Sequence, residues 1–218
     1  MESMHLKSTG QLYGILDTGY VSPGNWRDRA VALIDGGCDL LQVRAKQENS
    51  AQRQALVEAV LPLTTAAGIP LIINDDVELA AHMPGVGLHV GQDDMDPREA
   101  RRLLGPEAVI GWSTHSREQA RRAMELGDVL SYFAVGPLFA TPTKPDYEPV
   151  GLDLARWVGE QQPGLPYFCI GGIKRSNLDE VLAIGVPNVV IVSDLLCADD
   201  PRSATESVKA CLNGHFKK

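Results

Sequence analysis

Short apolar runs recur along the chain at a regular interval. Each follows a helical stretch and a glycine, and each ends in polar residues. Residues 26–34 carry a helical pattern that leads through Gly36-Gly37 to Leu40-Leu41-Gln42-Val43-Arg44. Residues 51–67 lead through Gly68-Ile69-Pro70 to Leu71-Ile72-Ile73. The unit repeats from 98–104 to 108–111, from 117–126 to 129–135, from 152–158 to 166–170, and from 178–184 to 189–192. Runs this short and this uniformly apolar fit strands of a parallel sheet covered on both faces. The glycines after the helices (Gly36-Gly37, Gly68, Gly105, Gly127, Gly164 and Gly185) fit left-handed caps. Runs at 11–16 and 87–90 bring the strands to eight, and residues 202–212, opened by Pro201, supply a closing helix. Eight βα units of roughly 25 residues predict an α/β fold, a (β/α)8 TIM barrel, as a single domain over residues 1–218. A doubly wound open sheet is the alternative. Its nucleotide fingerprint fails here, because Gly85-Val86-Gly87 runs into a strand rather than out of one, and no Walker-type loop is present.

Composition supports a large core: 218 residues with 44% apolar and 22% charged. No apolar run approaches the ~18 residues of a bilayer span, and residues 1–10 lack the pattern of a secretory signal. Cys38, Cys169, Cys197 and Cys211 are scattered, so they are expected to be buried fillers in a reducing compartment, with the cytoplasm as the expected location. A net charge of −8 argues against nucleic-acid binding. It also repels anions at long range, so an anion site must be built locally from the few cations at strand ends. The pairs Arg101-Arg102 and Arg121-Arg122 fall in helical stretches and read as solvated faces. The oligomeric state is left open, and a homo-oligomer is compatible with the sequence.

In a barrel the active site forms at the C-terminal ends of the strands. Two acidic dyads fall there, Asn74-Asp75-Asp76 after the third run and Gln92-Asp93-Asp94 after the fourth. Carboxylates at neighbouring buried strand ends are costly unless something compensates their charge. Hard oxygen ligands with room for water favour Mg²⁺. Asp76 could instead cap a helix beginning at Val77, and Asp93 could sit in a turn, so the liganding member of each dyad stays open. Strand alternation puts Gln42, Arg44 and Lys46 on one face if the second strand runs on. Metal, Arg and Lys at one mouth point to a phosphorylated substrate. Ser113-Thr114-His115 closes the fifth run, where His115 is either a general base or a cap of the next helix. Gly171-Gly172 and Val192-Ser193 follow runs seven and eight, the usual place of a barrel phosphate cradle.

Together these elements resemble the thiamine phosphate synthase family, from residue 12 to residue 204. They are Gln42-x-Arg44-x-Lys46, Asn74-Asp75-Asp76, His89-x-Gly91-Gln92-x-Asp94, Ser113-x-His115, Thr141-x-Thr143-Lys144, Ile170-Gly171-Gly172-Ile173 and Val192-Ser193. Single elements occur in other phosphate barrels, whereas all seven in this order are specific. The resemblance implies a transferase that joins 4-amino-2-methyl-5-hydroxymethylpyrimidine diphosphate to a thiazole phosphate, releasing pyrophosphate. It implies Mg²⁺ on Asp75 and Asp94. Gln42, Arg44, Lys46, Asn74, Ser113 and Lys144 would hold the pyrimidine diphosphate, with Arg44, Lys46, Ser113 and Lys144 carrying the reaction. Thr141, Thr143, Gly172, Val192 and Ser193 would receive the thiazole phosphate. The pyrimidine would ionise first, and the thiazole nitrogen would capture the cation.

Two positions depart from the family's habit: Ala140, where proline is usual, and Cys169, where glycine or alanine is common. Neither replaces a liganding side chain. Pro142 and Pro145 around Lys144 suggest an extended lid that closes over bound diphosphate. A thiazole tautomerase of the same barrel would lack the paired metal carboxylates. A noncatalytic phosphate-binding regulator would have lost Asp or Lys at the site. This chain keeps Asp75, Asp94 and Lys144.

Overall fold

The computed structural model describes residue 6, residues 9–141 and residues 148–216. Eight parallel strands follow one another around a closed barrel: β1 Leu12–Asp17, β2 Leu40–Arg44, β3 Leu71–Asn74, β4 Val86–Val90, β5 Ile110–Thr114, β6 Tyr132–Val135, β7 Tyr167–Cys169 and β8 Val189–Ile191. The pairing of Leu12 with Val189 and of Tyr13 with Val190 closes the ring and excludes the open sheet. The helices around it are α1 Trp26–Asp35, α2 Ser50–Ala67, α3 Val77–His82, α4 Pro97–Leu104, α5 Arg117–Glu125, α6 Gly151–Glu160, α7 Leu178–Ala183, the short α8 Ser193–Leu196 and α9 Pro201–Phe216. No helix among the described residues is long and apolar enough to cross a membrane.

Strand alternation divides the core in two. Outward residues such as Leu16, Val43, Ile73, Leu88 and Ile191 pack beneath the helices, while Tyr13, Leu40, Ile72, Tyr132, Phe168 and Val190 fill the barrel interior. Helix α2 shows how local signals seat this shell. Asn49 and Gln52 form a reciprocal capping box, each side chain 3.0 Å from the other's backbone N–H, and Gly68 at φ 69° ends the helix. Between these stops Leu56, Val57 and Val60 turn one stripe inward, each contributing about 1.5–3 kcal/mol by burial. At the far end of the barrel Lys209 of α9 bonds Asp39 and the Gly10 carbonyl, and Asp39 accepts from Leu12 N. That contact ties the first strand to the last helix.

Several local expectations need correction. Gly68 and Gly185 have positive φ, as does Gly37 after α1, but Gly127 and Gly164 do not. The chain leaves α5 and α6 without a left-handed residue at those glycines. Gly105 has positive φ but an extended ψ of 175°, so it is not a left-handed cap either. Arg101 is not part of a solvated face. Its guanidinium donates to the carbonyls of Gly105, Pro106 and Ala108 in the loop between α4 and β5 and to that of Val129 in the loop between α5 and β6. Cys38 and Cys169 are buried fillers, whereas Cys197 is exposed.

Candidate active site

A cavity of about 430 Å³ opens at the C-terminal ends of the strands. Gln42, Arg44, Lys46, Asn74, Asp75, Asp94 and Ser113 line it from the β2–β5 side, and Thr141, Gly172, Val192 and Ser193 from the other. Thr143 and Lys144, with the lid expected around them, lie outside the described residues.

The β3 end separates the members of the first acidic dyad. Asp76 accepts from Leu79 N at 3.0 Å and pairs with Arg53, so it caps α3 as one reading expected. Asp75 faces the cavity instead. Its backbone sits at φ 63°, a left-handed conformation that costs a non-glycine residue about 1 kcal/mol or more, and its N–H is held by the His89 carbonyl at 2.9 Å. Asn74 Nδ2 donates to Asp75 Oδ2 at 2.6 Å, and Lys46 pairs with the same oxygen. β2 stops at Arg44, so Lys46 reaches the site from a loop rather than from the continued strand.

Asp94 accepts from Gly91 N at 2.7 Å and stands beside the Asp75 carboxylate. Burial raises the pKa of Asp94, and the hydrogen bond and charge of Asp75 push the same way, against Gly91 N–H and Lys46. Two oxygen donors held this close are short of positive charge. They could hold a divalent cation that takes its remaining ligands from water and a substrate phosphate, which is the habit of Mg²⁺. Asp93 also lines the cavity.

Arg44 is held by a residue that sequence reasoning missed. Asp17, at the end of β1, accepts from Arg44 Nη1 at 2.7 Å and from Gly19 N at 2.9 Å. Its position as the polar close of the first apolar run was the available signal. The floor of the cavity was missed as well. Tyr13, Tyr132 and His89 form a buried polar layer between Gln42 and Ser113. Gly111 makes room for it, because a Cβ there would lie 2.1 Å from the Tyr132 ring. His115 does not cap α5, a task taken by Ser116. Its Nδ1 lies 2.5 Å from the Gly136 carbonyl oxygen at the cavity wall.

The opposite wall is built from tight backbone. Gly171 and Gly172 take φ 97° and 65° and lie against the loop after β6, where Leu138 N bonds Ile170 O at 2.8 Å and Phe139 N bonds Gly171 O at 3.0 Å. A Cβ on Gly172 would come within 2.7 Å of Phe139 Cβ. Lys174 joins this wall and was not foreseen, although it stands two residues past the glycine pair. Ser193 opens α8 beside it, and Asp194 is engaged by Arg175 at 2.8 Å.

The chain has many relatives. The family described as thiamine monophosphate synthase matches residues 12–195. A thiamine-phosphate synthase of Thermus thermophilus is 40% identical over 187 residues, covering 86% of this chain and 89% of that protein. One of a Roseiflexus species is 39% identical over 208 residues, covering 93% and 85%. Among solved structures, thiamine phosphate pyrophosphorylase from Pyrococcus furiosus superposes with a TM-score of 0.85 at 26% identity, covering 96% of this chain and 98% of that one.

Proposed function

The chain belongs to the thiamine monophosphate synthase family and is a transferase of thiamine biosynthesis; from that premise we propose that it joins 4-amino-2-methyl-5-hydroxymethylpyrimidine diphosphate to a thiazole phosphate, giving thiamine phosphate and pyrophosphate. The observation that carries this reading is one cavity with two unlike walls. The β2–β5 wall presents Arg44 and Lys46 beside the Asp75–Asp94 pair, and the β7–β8 wall presents glycine backbone, Lys174 and Ser193. Two phosphorylated groups can therefore enter the one cavity together, each against its own wall.

Departure of pyrophosphate gathers negative charge on the leaving oxygens. Cationic donors aimed at them stabilise the transition state more than the ground state. Arg44, oriented by Asp17, is one such donor. Lys46, half-exposed, is placed to exchange its carboxylate partner for the departing group. Asp75 and Asp94 would hold Mg²⁺, which when bound neutralises part of the diphosphate charge. The aminopyrimidine ring delocalises the positive charge left behind, so no protein nucleophile is needed. Gln42 and Ser113 hold the ring while the thiazole nitrogen attacks, and Thr141, Gly172, Val192 and Ser193 fix the thiazole phosphate. Thr143 and Lys144 belong to the reading on sequence grounds. An isomerase or a phosphate-binding regulator would leave the Asp75–Asp94 pair without a task.

Mixing purified protein with both substrates and Mg²⁺ should yield thiamine phosphate and one pyrophosphate per turnover. Calorimetry should show pyrophosphate binding that strengthens with Mg²⁺. Absence of product, together with pyrophosphate binding indifferent to the metal, would overturn the reading in favour of the isomerase or the regulator.

A further inference from the structure

Gln42 and Ser113 stand three strands apart around the barrel, and three buried side chains join them. Gln42 Nε2 donates to Tyr13 Oη at 2.7 Å, and Tyr13 Oη lies 2.8 Å from Tyr132 Oη. Tyr132 Oη lies 3.0 Å from His89 Nδ1, and His89 Nε2 lies 2.9 Å from Ser113 Oγ. No member is more than 8% exposed.

Each link holds one hydrogen, and a buried phenol that accepts at one link must spend its only proton at the other or leave it unpaired, so the direction of the first link propagates. Tyr13 accepts from the Gln42 amide and gives its own proton to Tyr132. Tyr132 then gives its proton to His89 Nδ1. A neutral imidazole that accepts at Nδ1 carries its proton on Nε2 and donates to Ser113 Oγ. The Ser113 hydroxyl is thereby left as a donor toward the cavity, and Gln42, its N–H committed to Tyr13, offers its carbonyl Oε1 as an acceptor. Flipping the Gln42 amide would reverse every link. The cavity would then meet an N–H at Gln42 and an acceptor oxygen at Ser113. Burial pushes both phenols well above the usual tyrosine range, so ionisation does not interrupt the chain.

The two directions read two different rings. A 4-aminopyrimidine offers an N–H beside a ring-nitrogen lone pair, whereas a 4-oxopyrimidine offers a carbonyl beside an N–H. Resting on the aminopyrimidine reading of this cavity, we propose that Tyr13, Tyr132 and His89 are positioning residues. Their relay fixes Gln42 as acceptor and Ser113 as donor and so selects the amino ring over the oxo ring. The wrong ring sets its carbonyl against the Gln42 carbonyl, acceptor against acceptor, and its N–H against a serine whose own proton then has no acceptor in a buried place, which is how polar sites reach large discrimination.

Two measurements test the relay. In the wild-type protein, ¹⁵N–¹H correlation spectra of the His89 imidazole report which ring nitrogen is protonated. Nε2 is expected, and a proton on Nδ1 overturns the proposal. The second compares calorimetric binding of the 4-amino and 4-oxo pyrimidine alcohols to wild type and to Tyr132→Phe, which keeps the ring and removes the hydroxyl between Tyr13 and His89. Wild type should prefer the amino ring by roughly 10³-fold or more. Tyr132→Phe should cut that preference by about tenfold or more while leaving thiazole phosphate affinity unchanged. A preference equal to that of wild type sinks the relay, and Tyr13→Phe, expected to behave alike, takes the place of a variant that does not fold. Failure of the parent reading looks different. The wild-type protein would then bind neither alcohol and make no thiamine phosphate, which overturns both. Failure of the relay alone leaves product formation intact with the tautomer or the preference wrong.

Discussion

Replacing Arg44 by methionine removes a charge that two tasks share, and the structure allows the tasks to be separated. The Asp17 side chain is 3% exposed and that of Arg44 17%. Asp17 Oδ2 accepts from Arg44 Nη1 and Oδ1 from Gly19 N. In Arg44→Met the Gly19 bond remains, while a buried carboxylate loses its counter-charge. Breaking such a pair costs about 3–5 kcal/mol, and the partial exposure at Arg44 places the expectation near the lower end. At roughly 2–4 °C per kcal/mol for a chain of this size, Tm should fall by roughly 6–12 °C. Adding Asp17→Asn removes the stranded charge while an amide oxygen can still accept from Gly19, so the double variant should recover at least half of the loss. It should not recover turnover, because the cation facing the departing pyrophosphate is still missing. Calorimetric unfolding of wild type, both single variants and the double variant gives the coupling. Turnover is compared at a temperature where all four are folded. Single effects that add within about 0.5 kcal/mol would show that the pair is not coupled. A double variant that regains its rate would refute the leaving-group role.

Asp75→Ala and Asp94→Ala should each lower Mg²⁺-dependent turnover by roughly 10²-fold or more while calorimetry still detects thiazole phosphate. Asp76→Ala, which loses a helix cap, should cost about 1 kcal/mol of stability and little activity; near-normal rates in Asp75→Ala would remove the metal assignment. Gly111→Ala should cost about 1–3 kcal/mol in urea unfolding and weaken pyrimidine binding, because its Cβ falls 2.1 Å from Tyr132 Cζ. Unchanged affinity would mean that the aromatic floor does not shape the ligand pocket. Burial opposes ionisation of Asp194, yet the hydrogen bonds and charge of Arg175, with Lys174, hold its carboxyl below the usual range. A depressed pKa contributes stability above the unfolded value that is lost as pH falls through the folded one. Tm should therefore drop below about pH 4, and less steeply in Asp194→Asn. Identical acid limbs for the two proteins would contradict this.

Much of the architecture is written in short windows of sequence. Apolar runs of a few residues, closed by polar ones and separated by helical stretches, specify strands covered on both faces, because periodicity is a local property. Caps are equally local. Asp76 can be foreseen at the start of α3 because its acceptor lies three residues from the N–H that it serves. The clustering of Gln42, Arg44, Asp75, Asp94 and Ser113 follows from the rule that strand ends converge, without knowledge of any contact.

What needed the folded chain is whatever depends on pairs remote in sequence. Closure of β1 on β8 joins residues more than 170 positions apart. Asp17 and Arg44 lie on neighbouring strands whose register no local pattern encodes. That Asp75 rather than Asp76 faces the cavity turns on one left-handed backbone residue pinned by the His89 carbonyl. Arg101 looks solvated in its own helix because the Val129 carbonyl it serves arrives 28 residues later. Tyr13 and Tyr132 meet across 119 residues because both point inward and Gly111 leaves them room. Sequence determines which residues face the centre of the barrel. Only closure determines which of them touch, because contact across the barrel depends on strand order and register together.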